Sequence, residues 1–93
     1  MRNLKSRISR VKDSISIVNI VQMHVKLNSR QKGKCPFHSD RDPSLSVSAD
    51  YRAFRCWSCG AHGDVIEFIK RIHNISFIQA LEFLEKEAHL ARR

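Results

Sequence analysis

The sequence predicts a small domain of the α+β class, in which a short β hairpin is covered by helices. Residues 45–49 and 53–57 alternate apolar and polar side chains, the period of a half-buried strand, and a turn at 50–52 joins them. Capping signals at Asp64 and Ser76 each precede an apolar stripe with helical spacing. The chain has 93 residues, enough for one domain with a modest core.

The centre of the chain carries four candidate metal ligands in two close pairs. Two residues separate Cys35 from His38, two separate Cys56 from Cys59, and 17 residues lie between the pairs. Each pair fits a tight turn whose side chains converge on one ion. Two such turns supply the tetrahedral ligand set of a structural zinc. Because the chain has three cysteines, disulfide pairing would leave one thiol over.

His62 is the alternative fourth ligand, since it lies three residues beyond Cys59 and could replace His38. A site with four protein ligands has no open position for water or substrate, which favours a structural metal over a hydrolytic one. Zinc would then staple a small core, because ligands scattered along the unfolded chain bind it poorly.

The N-terminal third is predicted to hold two short helices and one strand. Residues 3–12 place apolar side chains on one stripe of a basic helix, and Ser16 can cap a second helix that ends at Val21. Residues 23–28 alternate apolar and polar, which predicts a strand. The polar, basic loop at 28–34 is either a phosphate contact or an ordinary exposed turn.

Two C-terminal helices are predicted, over 65–73 and from 77 to about 88, with Asn74 ending the first. Their caps pair Asp64 with Glu67 and Ser76 with Gln79. The apolar stripes of both helices are interpreted as core faces without a ligand role. The sequence shows no nucleophile–base pair and no nucleotide-binding glycine loop, so we expect no catalytic centre.

The net charge of +8 lies entirely before the first metal ligand. Residues 1–34 carry nine Lys or Arg and one acid, Asp13, whereas residues 35–93 carry eight residues of each sign. This asymmetry favours a nucleic-acid partner; the alternative is a solvated basic tail. Reduced, metal-bound cysteines and the lack of a membrane-length apolar run predict a cytoplasmic protein.

Aromatic and basic side chains interleave on the predicted hairpin. Alternation places Arg55 and Trp57 on the face opposite Phe54 and Cys56. With Tyr51 and Arg52 they would form a stacking platform with cations, as used for single-stranded nucleic acid. The alternative is that Trp57 packs under the terminal helices. Further candidates from the basic loop are Arg30, Lys32 and Lys34.

Two long segments, KCPFHSDRDPSLSV at 34–47 and FRCWSCGAHGDVIEF at 54–68, resemble the CHC2 zinc-binding domain of bacterial and phage DNA primases. SIVNIV at 16–21 and ISFIQA at 75–80 resemble that domain's opening and last helices, so the likeness covers residues 13–90. The resemblance implies a zinc ribbon on a small antiparallel β-sheet flanked by helices.

That family's domain contacts single-stranded template DNA and helps choose where RNA primer synthesis starts, without holding the catalytic metals. The implied partners are single-stranded DNA, the primase catalytic domain in cis or in trans, and the replicative helicase. We expect one domain, 1–93, with a basic helical segment 1–22, a ribbon 23–63 and C-terminal helices 64–90. By position, the resemblance assigns zinc to Cys35, His38, Cys56 and Cys59, and template contact to Lys34, Arg41, Arg52, Arg55 and Trp57.

Three residues depart from the family pattern. Asp42 stands where a threonine is usual, Trp57 stands where a smaller aromatic is usual, and His62 is unusual between the two glycines. The acidic catalytic core of a primase is absent from these 93 residues. The chain is therefore expected to be part of a primase, or alternatively a free-standing zinc-ribbon protein of a phage or mobile element that binds DNA or a replication protein. A purely structural module with a protein partner is the third hypothesis.

Overall fold

The computed structural model describes residues 3–37 and 43–88, which form helices around one small sheet and confirm the α+β class. In chain order the elements are α1 (Leu4–Ser14), α2 (Ile17–Gln22), β1 (Lys32–Gly33), β2 (Leu45–Ser48), β3 (Ala53–Cys56), β4 (His62–Gly63), α3 (Val65–His73) and α4 (Phe77–Glu87).

The four strands form one antiparallel sheet in the order β1-β2-β3-β4, so each strand pairs with its neighbour along the chain. In the central hairpin, Leu45 lies opposite Cys56 and Ser48 lies opposite Ala53. The predicted hairpin is confirmed, and each of its strands ends one residue earlier than expected.

One face of this sheet is buried against helices and forms the core. Phe54, 2% exposed, points from β3 toward α3, where its ring lies 5.4 Å from that of Phe68 in a T-shaped contact. Such aromatic pairs add to the hydrophobic gain of burial. Buried residues of the two C-terminal helices are Val65, Ile66, Phe68, Ile69, Ala80, Leu81 and Leu84. Both predicted core stripes are therefore present.

The C-terminal helices begin and end at the predicted residues. The Asp64 side chain accepts a hydrogen bond from the backbone N–H of Glu67 at 2.9 Å, and Ser76 with Gln79 forms a complete capping box. Asn74, with φ of 53°, ends α3 in the left-handed conformation that asparagine tolerates. No helix within the described ranges is both long and apolar enough to cross a lipid bilayer.

The predicted strand over 23–28 is wrong. The backbone N–H of Val25 donates to the Val21 carbonyl at 2.8 Å, so the chain leaves α2 through further turns instead of joining a ladder. The Asn28 side-chain oxygen then accepts from the N–H of Lys32 at 3.2 Å and holds a tight turn. The strand on this side of the sheet begins only at Lys32.

A bidentate ion pair ties the first helix to the last. Arg7 of α1 donates from Nε and Nη2 to the carboxylate of Glu85 on α4 at 2.9 and 2.8 Å. These hydrogen bonds hold the pKa of the buried Glu85 carboxyl below its ordinary value, although burial opposes the shift. The pair therefore stabilises the fold at pH values above the ordinary pKa of a glutamate side chain. This contribution is lost as the pH falls through the lowered pKa of Glu85.

We predict that Arg7→Ala lowers the free energy of unfolding by about 1–3 kcal/mol, because Glu85 would remain buried without its partner. Lys5→Ala removes a charge from an exposed residue of the same helix and is the matched control, with an expected change within about 0.5 kcal/mol. Urea unfolding at neutral pH, followed by circular dichroism, measures both. Equal stability of the two variants would contradict the ion-pair argument.

Candidate metal centre and nucleic-acid interface

Three cysteine thiols converge at one end of the sheet. Cys35 follows β1 after one intervening residue, Cys56 ends β3, and Cys59 lies in the turn beyond it. Their sulfur atoms all lie within 4.8 Å of one another. Cys35 and Cys56 are buried, Cys59 reaches the surface, and no disulfide joins them.

The sulfur spacing fits a tetrahedral zinc ion. Zn–S bonds of about 2.3 Å at tetrahedral angles place two sulfurs about 3.8 Å apart. The observed distance from Cys35 Sγ to Cys59 Sγ is 3.8 Å. Thiolates are soft ligands that favour zinc over calcium or magnesium. His38, the predicted fourth ligand, lies outside the described residues.

Polar groups around the sulfurs are placed to support thiolate ligands. The backbone N–H of Phe37 donates to Cys35 Sγ, and that of Cys59 donates to Cys56 Sγ, both at 3.4 Å. Ser44 Oγ lies 3.4 Å from Cys56 Sγ. Hydrogen-bonded neighbours of this kind orient metal ligands. Sequence reasoning missed Ser44, because a serine ahead of a strand is an ordinary turn residue and carries no ligand signal.

Burial acts against deprotonation of this cluster when no metal is bound. It raises the pKa of the Cys35 thiol to about 12, chiefly through desolvation of the charged form. A bound zinc ion supplies the positive charge that favours thiolate over thiol, so metal binding releases protons. Three cysteine ligands are typical of structural zinc sites.

The turn after β3 is shaped by glycine. The N–H of Gly60 donates to the Cys56 carbonyl at 2.9 Å, and Gly60 has a φ of 81°. Only glycine adopts this conformation without steric cost. Cys56 then donates its own N–H to the Ala61 carbonyl at 2.7 Å, which brings β4 alongside. Gly63 also has a positive φ, of 152°.

Phe37 joins the first cysteine turn to the hydrophobic core. Its ring centroid lies 5.9 Å from that of Phe54 on β3 and 5.6 Å from that of Phe68 on α3. The segment that carries Cys35 is therefore held by ring packing as well as by its pairing in the sheet. The sequence offered only the aromatic residue type at position 37, and the pattern did not indicate which core residues it contacts.

The outer face of β3 presents one cation and one aromatic side chain together. The Arg55 guanidinium carbon lies 4.5 Å from the centroid of the Trp57 ring, within cation–π range. Trp57 is 69% exposed, so the alternative that it packs under the terminal helices is wrong. The alternation predicted for Phe54, Arg55, Cys56 and Trp57 is present.

The other predicted contact residues are dispersed. Arg52 lies in the hairpin turn at the opposite end of β3 from Trp57, and its Nη1 is 2.6 Å from Asp13 Oδ1. Its charge is therefore compensated, and it does not join the Arg55–Trp57 pair as expected. Arg30, Lys32 and Lys34 are exposed around β1, and none of them forms an ion pair with a described acid; Arg41 lies outside the described residues.

His62 takes up a position unlike that of the cysteines. Its Nδ1 lies 3.0 Å from the Gly60 carbonyl, and its side chain is exposed. Among described residues, the group able to hold a metal ion comprises the three cysteines alone. This placement argues against His62 as the fourth ligand.

Comparison with known proteins agrees with this geometry. A family model described as CHC2 zinc finger matches residues 3–93. The DNA primase of Clostridium acetobutylicum is 40% identical over 86 residues, covering 89% of this chain and 14% of the relative. The DNA primase of Thermotoga maritima is 39% identical over 84 residues, which cover 87% of this chain and 15% of the relative. The chain thus spans about one-seventh of these relatives.

A solved structure resembles the fold. The crystal structure of the Aquifex aeolicus primase, comprising zinc-binding and RNA polymerase domains, matches with a TM-score of 0.84 and 31% identity over 89% of this chain and 21% of the other. The family match and the three-thiol cluster together establish zinc as the metal of this centre. The chain belongs to the CHC2 zinc finger family and is similar to the zinc-binding region of DNA primases.

Proposed function

We propose that this chain is a primase-type zinc-binding domain that binds single-stranded DNA template and supports RNA primer initiation, without a catalytic centre of its own. The observation that carries the proposal is the exposed pair formed by Arg55 on β3 and Trp57, the residue that follows the end of this strand. A ring with a cation over one side offers a base its other side for stacking, and every base has such a surface.

The role of the metal follows from the position of its ligands. Zinc held by Cys35, His38, Cys56 and Cys59 would join the chain before β2 to the chain after β3. The hairpin between these points carries Arg55 on its outer face. The ion supplies cross-linking and charge compensation for thiolates, and no bond-making step passes through it.

The proposed partners rest on the similarity to DNA primases. Single-stranded DNA would contact Arg55, Trp57 and the basic side chains around β1. The primase catalytic domain, in cis or in trans, would supply the polymerase activity, and the replicative helicase would be a further partner. Arg52 is the weakest member of the predicted contact set because its charge is paired with Asp13.

We predict one zinc ion per chain, and we predict that Cys59→Ser lowers zinc affinity by about 100-fold or more, because one thiolate is lost from the set. Ser58→Ala, at an exposed neighbour in the same turn, is the matched control and leaves affinity unchanged. Competition with a chromophoric chelator measures both affinities. Retention of full zinc affinity by Cys59→Ser would refute the ligand assignment.

For DNA, we predict that Trp57→Ala weakens binding of oligothymidylate by about 5- to 100-fold, the range expected from loss of one base–aromatic stack. Arg55→Ala is expected both to weaken binding and to reduce its salt dependence, because a phosphate contact or cation–π contact is removed. Fluorescence anisotropy of a labelled oligonucleotide at several salt concentrations measures these effects.

Lys86→Ala is the control for that series, since Lys86 is an exposed cation on α4, away from the sheet. Equal loss of affinity in Lys86→Ala and Arg55→Ala would show that net charge alone drives binding. No binding by the unmodified chain would contradict the proposal.

A priming assay separates the proposed function from its alternative. A primase from which the zinc-binding region has been removed is supplied with this chain in trans, and primers are counted on a single-stranded template. Restored initiation supports the primase role. If the chain binds DNA but restores no initiation, the alternative of a free-standing zinc-ribbon protein is favoured.

A further inference from the structure

The outer face of the sheet carries a row of polar side chains that crosses all four strands. Lys32 of β1 is the register partner of Ser46 on β2, Ser46 is the partner of Arg55 on β3, and Arg55 is the partner of His62 on β4. Lys32, Arg55 and His62 are exposed, and Ser46 is half-buried. We call these four residues the cross-strand row.

The cross-strand row carries two permanent cations, Lys32 and Arg55. The four strands contain no acidic residue. With strands about 4.8 Å apart, the row spans about 14 Å from β1 to β4. Such a line of donors and positive charges complements a chain of phosphates that runs perpendicular to the strands.

Trp57 would give the cross-strand row a preference for unpaired bases. It follows Arg55 by two residues, and Arg55 lies over its ring at 4.5 Å. Phosphates on the row would therefore bring adjacent bases over the exposed indole. Double-stranded DNA keeps its bases stacked inside the helix and cannot use this surface in the same way.

The hydrogen bonding of His62 determines how it can contact a phosphate. Nδ1 lies 3.0 Å from the Gly60 carbonyl, and a carbonyl can only accept, so Nδ1 carries a proton in that bond. The other nitrogen, Nε2, is then an acceptor in the neutral ring. It can donate to a phosphate only in the imidazolium form. Phosphate contact at His62 therefore requires a proton on Nε2.

The charged groups around His62 do not provide an alternative partner for that proton. From β3 the facing residue is Arg55, a cation. From the start of α3 the nearby acids are Asp64, paired with Lys12 at 3.0 Å, and Glu67, paired with Arg71 at 2.7 Å. A phosphate between Arg55 and His62 would supply the missing negative charge.

We infer that single-stranded DNA crosses the sheet along the cross-strand row, and that His62 is a phosphate-binding residue whose contact takes up a proton. This inference rests on the proposed function and deepens it. It names the path of the strand, adds Ser46 and His62 to the contact surface, and leaves out Arg52. It gives this chain a contact at His62 that depends on pH.

The test measures oligothymidylate affinity at about pH 6 and about pH 8, where histidines change charge. The unmodified chain is expected to bind about threefold more tightly at the lower pH, the effect of about one phosphate contact. His62→Gln is expected to abolish most of this difference. His62→Lys is expected to bind tightly at both pH values and to keep the salt dependence of one further contact, a slope change of about 0.7.

Three controls distinguish binding along the cross-strand row from effects of net charge, of another histidine and of metal loss. Gln22→Lys adds the same charge on α2, which packs on the other side of the sheet, and is expected to leave affinity nearly unchanged. His24→Gln is expected to retain the full pH dependence. Zinc content is measured for every protein at both pH values, so that metal loss is excluded as the cause.

Two outcomes overturn the inference and can be told apart. If the unmodified chain binds no single-stranded DNA at either pH, the proposed function is wrong, and the inferred path of DNA along the cross-strand row is wrong with it. If it binds DNA but His62→Gln retains the full pH dependence, or Gln22→Lys strengthens binding as much as His62→Lys, the proposed function stands and the path along the row is wrong.

Discussion

The convergence of three thiols on one point is the constraint on which the rest of the molecule depends. Cys35 lies before β2 and Cys56 is the last residue of β3, so the cluster holds together the start and the end of the central hairpin. Two-residue strands at the edges supply few ladder hydrogen bonds of their own, and a sheet this small is marginal without further support. The packing of Phe37 between Phe54 and Phe68 then couples the metal turns to the helical core.

This arrangement divides the sheet into two faces with different tasks. The inner face carries Phe54 and Cys56 toward the helices and the metal, whereas the outer face carries Arg55 and Trp57 into solvent. Because side chains alternate along a strand, one four-residue segment serves both tasks at once. In the proposed function the metal acts indirectly: it would fix the position of β3, and β3 would in turn fix the positions of Arg55 and Trp57.

Much of the fold could be predicted from the sequence because its signals are local. The caps at Asp64 and Ser76 are set by side chains three residues apart, and the hairpin is set by alternation along two short segments joined by one turn. The prediction of a strand over 23–28 was wrong because alternation also occurs by chance over short stretches. Backbone hydrogen bonds to the Val21 carbonyl determine the conformation there, and no sequence pattern shows them. The metal ligand spacing was informative because two residues between ligands fit only a tight turn.

What the sequence could not show are relations between distant residues. The ion pair of Arg52 with Asp13 joins positions 39 residues apart and removes one predicted cation from the contact surface. The register that aligns His62 with Arg55 depends on the turn at Gly60, and only the folded sheet reveals it. His62 was considered in the sequence as a metal ligand, and the structure instead places it on the outer face.

We expect the bound metal to hold the proposed DNA-contacting surface in place. The most direct measurement is a stepwise return of zinc to metal-free chain, with circular dichroism, fluorescence of the single tryptophan and oligothymidylate binding recorded on the same samples. We predict that all three signals recover together and reach their limit at one zinc per chain. Full DNA affinity in the metal-free chain, before any zinc is added, would contradict it.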